Sequence, residues 1–207
     1  MTAVTGMLLM SGEFSGAAPR FAATKPVIMS TVDSVNSMDE AADSAIPDSG
    51  IDRERWDHIV IHDSGSMAGT VRELDAEARE AGLYELGYHF VIGNGSGLSD
   101  GVVEATPRWN RQGAGAHVAT SAMPSPSEQR RVDALNRHAI GICLIGHGER
   151  SAFSEAQLRA LTDLVRALQL QLDIPASQVM LHSDLTPEVS SPGRFFPVER
   201  LEAHLEP

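Results

Sequence analysis

The chain has 207 residues, 42% of them hydrophobic and 21% charged, the make-up of an ordinary globular protein with room for one domain of typical size and an extension. Its formal net charge is −12 and Lys25 is its only lysine, which excludes a nucleic-acid binder that tracks phosphates with clustered basic side chains. A single cysteine, Cys143, excludes an internal disulfide framework, and no run approaches the roughly 20 apolar residues needed to span a bilayer.

Ala3 to Met10 is a short apolar run with no basic residue ahead of it, a poor export signal as written. A cell-envelope or extracellular location would need a signal further upstream; a cytoplasmic one would not. Ser11 to Asp52 is rich in Ser, Ala, Asp and Met without sustained periodicity, so residues 1–54 are expected to form a disordered arm or linker and residues 55–207 a folded domain. Order is expected to begin near Trp56, with His58-Ile59-Val60-Ile61 a buried strand. Val71 to Ala81 has helical composition and stops at Gly82. Tyr88 to Ile92 predicts a second strand, Gly93 to Gly97 a turn, and Val102-Val103 a shorter strand. A loop rich in Gly, Ser and Pro follows.

Ala139 to Ile145 is the most hydrophobic run and predicts a central strand. Ser154 with Gln157 makes a capping-box pattern, after which Leu158, Leu161, Val165, Leu168 and Leu172 recur along one helical face. Val179 to Leu181 fits a short strand, and Pro197 opens a final helix through Leu205. Interleaved strands and helices predict an α/β domain with a central mixed sheet flanked by helices.

His62 and His182 each follow a short apolar strand. A side chain just past the end of a buried strand is held rigidly and faces a cleft, and neutral imidazole is the usual zinc ligand. Read with their neighbours, these residues belong to a series of words: Ile59-Val60-Ile61-His62-Asp63-Ser64, Leu86-Gly87-Tyr88-His89-Phe90-Val91-Ile92-Gly93, Gly115-Ala116-His117, Ile140-Gly141-Ile142-Cys143-Leu144-Ile145-Gly146, His182-Ser183-Asp184, and Ser191-Pro192-Gly193-Arg194-Phe195-Phe196-Pro197. In that order, from about Trp56 to Leu205, the series resembles the N-acetylmuramoyl-L-alanine amidases, the family shared with peptidoglycan recognition proteins and phage lysozyme-type amidases.

The resemblance implies a peptidoglycan recognition protein-like fold, peptidoglycan or muropeptide as partner, and a Zn2+ ion held by His62, His182 and a third ligand. It implies hydrolysis of the amide between N-acetylmuramic acid and L-alanine, with Tyr88 assisting at the oxyanion and Glu188 placed to relay protons or to serve as a substitute carboxylate. His117 would line the cleft, either touching substrate or supporting the residues that do, and Trp109 and Arg108 would be substrate-binding residues, while His89 is expected to point away from Tyr88, as packing or surface. The pattern departs from the family at the third ligand, where a cysteine or aspartate before Pro-Gly is usual. Here the position is Ser191 by adjacency to Pro192, or Ser190 if one residue has been inserted, and a neutral hydroxyl is a poor substitute for thiolate or carboxylate. The glutamate that some members carry on the central strand is here Cys143, expected as inert packing, and Asp184 is expected to tie down its loop. A muropeptide-binding domain that has lost the third ligand is therefore the alternative to the enzyme.

Overall fold

The computed structural model describes residues 50–118, 124–186 and 188–207. Residues 1–49 of the expected arm, with the apolar run near its start, lie outside them. Ile51 packs against the main core and Trp56 is 2% exposed, so packing begins a little ahead of the Trp56 start expected from the pattern.

Five strands form one mixed sheet in the order β3-β2-β4-β1-β5. At its centre β1 (His58–Asp63) and β4 (Ala139–Leu144) run parallel, in register from His58 opposite Ala139 to Asp63 opposite Leu144. β5 (Val179–Leu181) pairs in parallel with β1, β2 (Phe90–Ile92) in parallel with β4, and β3 (Val103–Ala105) closes the far edge antiparallel to β2. A central parallel strand is covered on both faces, which is why β4 is buried at all six positions and reads as an unbroken apolar run.

The two faces of the sheet are packed by different helices. Between β1 and β2, α1 (Val71–Glu80) starts at Thr70 with a capping box to Glu73. After β3 comes the short α2 (Pro107–Asn110), and α3 (Pro126–His138) precedes β4. The longest helix, α4 (Glu155–Leu172), starts at the expected box of Ser154 and Gln157. Its buried Leu158, Leu161, Leu164, Val165, Leu168 and Leu172 pack with Ile59, Ile61, Phe90, Ile92, Ile140 and Ile142 in the largest cluster, each fully buried aliphatic side chain contributing about 1.5–3 kcal/mol by transfer from water. On the opposite face, Val132 and Leu135 of α3 cover Val60 and Ala139, and Leu74 of α1 covers Val91, Cys143 and Ile145. Gln157 is buried, and its amide donates to the carbonyls of Ile145 (2.8 Å) and Ile92 (3.3 Å), fastening the start of α4 to the carboxyl ends of β4 and β2.

Several elements differ from the pattern-based reading. α2 and α3 fall where a loop was expected. Of the thirteen residues of α3 only Val132 and Leu135 are buried, so its apolar stripe is too thin to register, although Ser125 caps it and Pro126 occupies its first turn. β2 starts at Phe90 rather than Tyr88, because the chain bends at His89. His182 opens a short helix, α5 (His182–Leu185), instead of closing β5, and the last helix, α6 (Val198–Glu202), is shorter than the run to Leu205.

Candidate active site

Strand alternation decides where His62 points. Ile59 and Ile61 face α4, so Val60 and His62 face the other way, with His62 opposite Cys143 at the carboxyl end of β1. Its ring is 1% exposed and lies at the middle of an aromatic group: centroid distances are 4.5 Å to His182, 4.9 Å to Tyr88 and 5.3 Å to His117. Burial, reinforced by the neighbouring His117, His182 and His89, lowers the pKa of His62 well below the ordinary imidazole value, so the ring is neutral at pH 7. His182, half-buried at the start of α5, is also lowered by burial, against an opposing pull from the Asp63 carboxylate. Burial first, then Cys143 and Asp63, raise the pKa of Tyr88, which keeps its phenol protonated as a hydrogen-bond donor. A groove of about 240 Å³ opens beside it, lined by Ser64, Leu74, Leu86, Gly87 and Ala116 as well as Tyr88.

His89 is packing, as one arm of its expectation had it, its ring set against Trp56, Trp109 and His117 while that of Tyr88 lies against His62. The bend in the chain brings its ring 5.6 Å from that of His117. Its Nδ1 accepts from the Gly141 N–H (2.9 Å) and its Nε2–H donates to the Gly113 carbonyl (2.8 Å), which assigns its tautomer and uses both nitrogens.

Of the two candidate serines, Ser191 is the one that lies beside the strand carrying His62. Its Oγ accepts from the backbone N–H of Asp63 (2.9 Å), the residue after His62, while Ser190 is exposed. Asp63 in turn accepts from the Gly148 N–H (2.9 Å), and Gly148 is where the Pro192-Gly193 turn docks: a Cβ at Gly148 would overlap the Pro192 carbonyl. His62 and His182 suit zinc, but a catalytic zinc takes three protein ligands. Ser191 offers a neutral oxygen already engaged as an acceptor, and among the described residues no three His, Cys, Asp or Glu side chains converge on one point. Of the expected set, His62 and His182 are suited to zinc, while Ser191 is a poor third donor.

Of the expected substrate contacts, none lines the cleft. Trp109 is fully buried in the main core against Phe90 (4.7 Å) and Trp56 (5.8 Å), because α2 folds its ring under the sheet edge. Arg108 is a clamp: its guanidinium donates to the carbonyls of Leu86 (2.7 Å) and Ala114 and pairs with Glu85 (3.3 Å). His117 is 2% exposed, its ring 5.3 Å from that of His62, which agrees with the supporting one of its two expected places. Glu188 is exposed, with no hydrogen bond or ring contact tying it to the histidines. Cys143 is fully buried, its pKa raised by burial, in keeping with an inert thiol, and Asp184 accepts from the Leu181 N–H (2.8 Å), tying down the start of α5. Asp63, next to His62 in sequence, is with His117 the next candidate for the third ligand if neither the serines nor Glu188 supplies it.

Residues 52–194 match the model of the family described as N-acetylmuramoyl-L-alanine amidase. The chain is 28% identical over 144 residues to an endolysin of Klebsiella phage KP32 and 27% identical over 144 residues to that of Escherichia phage T7, in each case 66% of this chain and 80% of the relative. Among solved structures it is similar to the endolysin amidase LysCS of Clostridium intestinale, with a TM-score of 0.56 and 23% identity over 72% of this chain and 82% of that one. It also resembles AmpD, with a TM-score of 0.55 and 20% identity over 75% and 87% of the two chains. At these identities the two structures speak for the fold, and they agree with the five-stranded mixed sheet and its flanking helices. With the family's words meeting in space around His62 and its model covering most of the chain, the protein belongs to the N-acetylmuramoyl-L-alanine amidase family.

Proposed function

We propose that this domain binds peptidoglycan fragments at the cleft where Tyr88, His62 and His182 meet, as a muropeptide-recognition module in which the family's hydrolysis of the amide between N-acetylmuramic acid and L-alanine is lost. The observation that carries this reading is the third ligand position, where Ser191 supplies a neutral oxygen already held by the Asp63 N–H. In this reading the Tyr88 phenol donates to a carbonyl of the fragment, and the neutral His62 and His182 present one donor or one acceptor each. Binding then depends on hydrogen bonds and on the apolar floor of Leu74 and Leu86 beside Tyr88.

One observation favours the second reading, a zinc-dependent amidase. The Asp63 carboxylate lies within electrostatic reach of His182 and Tyr88, so the site holds one anion although position 191 does not. His62, His182 and a turned Asp63 would then hold the ion, and the zinc would supply hydroxide at neutral pH when bound. The two readings separate in one experiment on the purified chain: metal content, binding of an N-acetylmuramoyl peptide with and without chelator, and release of stem peptides from sacculi. Binding that survives the chelator without release supports recognition. Stoichiometric zinc together with chelator-sensitive release overturns it in favour of the enzyme.

A further inference from the structure

The groove beside Tyr88 is apolar apart from one acid. Leu74 and Ala78 reach it from α1, Leu83 and Leu86 from the turn that follows, and Glu77 of α1 lines it with them. The turn is held to the helix, because the Leu83 N–H donates to the Ala78 carbonyl (2.9 Å) and the Leu86 N–H to the Asp75 carboxylate (2.7 Å). Other charges of α1 are engaged elsewhere. Glu73 accepts from the Thr70 N–H (2.9 Å) in the capping box, Arg79 pairs with Asp75 (2.8 Å), and Arg72 and Arg79 line a different cavity beside Arg108 and Arg111. Among the described residues that line the groove, none carries a positive charge, so the exposed Glu77 carboxylate has no cation there to offset it. A second carboxylate, that of Asp63, lies within electrostatic reach of Tyr88 and adds to the negative potential.

An apolar trough of about 240 Å³ with an acid on its wall discriminates between side chains. A methyl group leaves most of it empty, and a carboxylate meets like charge. A run of methylenes that ends in an ammonium group suits both features, laying its stem on the leucines and keeping its head beside the acid and in water, as lysine side chains do on apolar protein surfaces. We infer that Glu77 is a specificity-determining residue, and that the groove takes a stem-peptide side chain of the lysine type, aliphatic and ending in an amine with no carboxylate beside it. This rests on the reading of the cleft as a muropeptide site and adds to it the charge of the peptide that the site prefers.

The test is isothermal titration calorimetry of the full chain, in chelator and at low ionic strength, with three N-acetylmuramoyl peptides. One carries lysine in its stem, the second has that lysine amine acetylated, and the third has diaminopimelate in its place, whose side chain ends in both an amine and a carboxylate. The parent is expected to bind the lysine peptide about two- to fivefold more tightly than either of the others, the range for an exposed ion pair, and the difference should shrink in high salt. Glu77→Gln is expected to bind all three without preference. Glu80→Gln, which removes an exposed acid of α1 outside the groove, is expected to keep the preference. Equal binding of the three peptides by the parent overturns the inference and leaves the muropeptide reading standing. So does a preference that survives Glu77→Gln, or one that Glu80→Gln abolishes as fully. A parent that binds none of the peptides overturns the muropeptide reading and the inference with it.

Discussion

Replacing Ser191 by cysteine changes one atom at the position that separates recognition from hydrolysis, and its effects on the metal-free and zinc-bound protein have opposite signs. Without metal, the Asp63 N–H loses the oxygen that it reaches at 2.9 Å and faces a sulfur, a weak acceptor. The loss of one such bond costs about 0.5–1.5 kcal/mol, and in a domain of this size about 1 kcal/mol lowers Tm by roughly 2–4 °C. With zinc, a thiolate completes a set with His62 and His182, and at a free concentration of about 100 times Kd the ion adds about 2.7 kcal/mol to the stability of the folded state. The variant is therefore expected to melt a few degrees below the parent in chelator and above it in zinc, while the parent melts at one temperature in both. Differential scanning calorimetry of the two proteins under the two conditions is the assay. A parent stabilised by zinc as strongly as the variant would refute the reading of Ser191 as a lost ligand, and a variant indifferent to zinc would refute the placement of position 191 beside the histidines.

Stability should also depend on pH through the buried rings. His62, His89, His117 and His182 all have folded pKa values below the ordinary 6.5, with His117 at about 4 and His89 at about 3. The unfolded chain takes up protons first as pH falls, so the stabilisation is complete above pH 6.5 and is lost on the way down to the folded values, by up to about 1.4 kcal/mol per pH unit for each ring. Urea midpoints that stay level from neutral pH to pH 4 would contradict this. Leu164→Ala, at a fully buried position of α4, should cost about 2–5 kcal/mol, against about 0.5 kcal/mol or less for Leu170→Ala, whose side chain on the same helix is 66% exposed; chemical denaturation of the pair measures both. Removing residues 1–49 should leave the melting temperature of the domain unchanged, whereas extending the deletion through Ile51 should lower it, because Ile51 packs on the main core.

Where the sequence was legible, it was because one physical rule dominated. β4 shows as a continuous apolar run since a central parallel strand must be covered on both faces, and α4 shows as a leucine stripe behind a capping box since one face of it meets the sheet. β1 carries His62 to its end by the same logic, so the ring at the middle of the aromatic group could be picked out before any coordinates. The missing anion at position 191 was equally plain, because it is a matter of residue type alone.

What required the tertiary structure was everything set by long-range contact. Adjacency to Pro192 points to Ser191, but an inserted residue would shift the position to Ser190; that Ser191 meets the Asp63 N–H, 128 positions away in sequence, is visible only in the fold. Trp109 and Arg108 have the composition of cleft residues, yet α2 turns one into the core and ties the other to Leu86, Ala114 and Glu85. Whether His117 touches substrate or supports the residues that do is open until Gly115 and Gly141 are seen to make a slot for its ring beside that of His62. Residue type and periodicity determine which face of a strand or helix is buried, whereas the environment of a ring nitrogen depends on backbone brought in from distant segments, and only the folded chain contains that information.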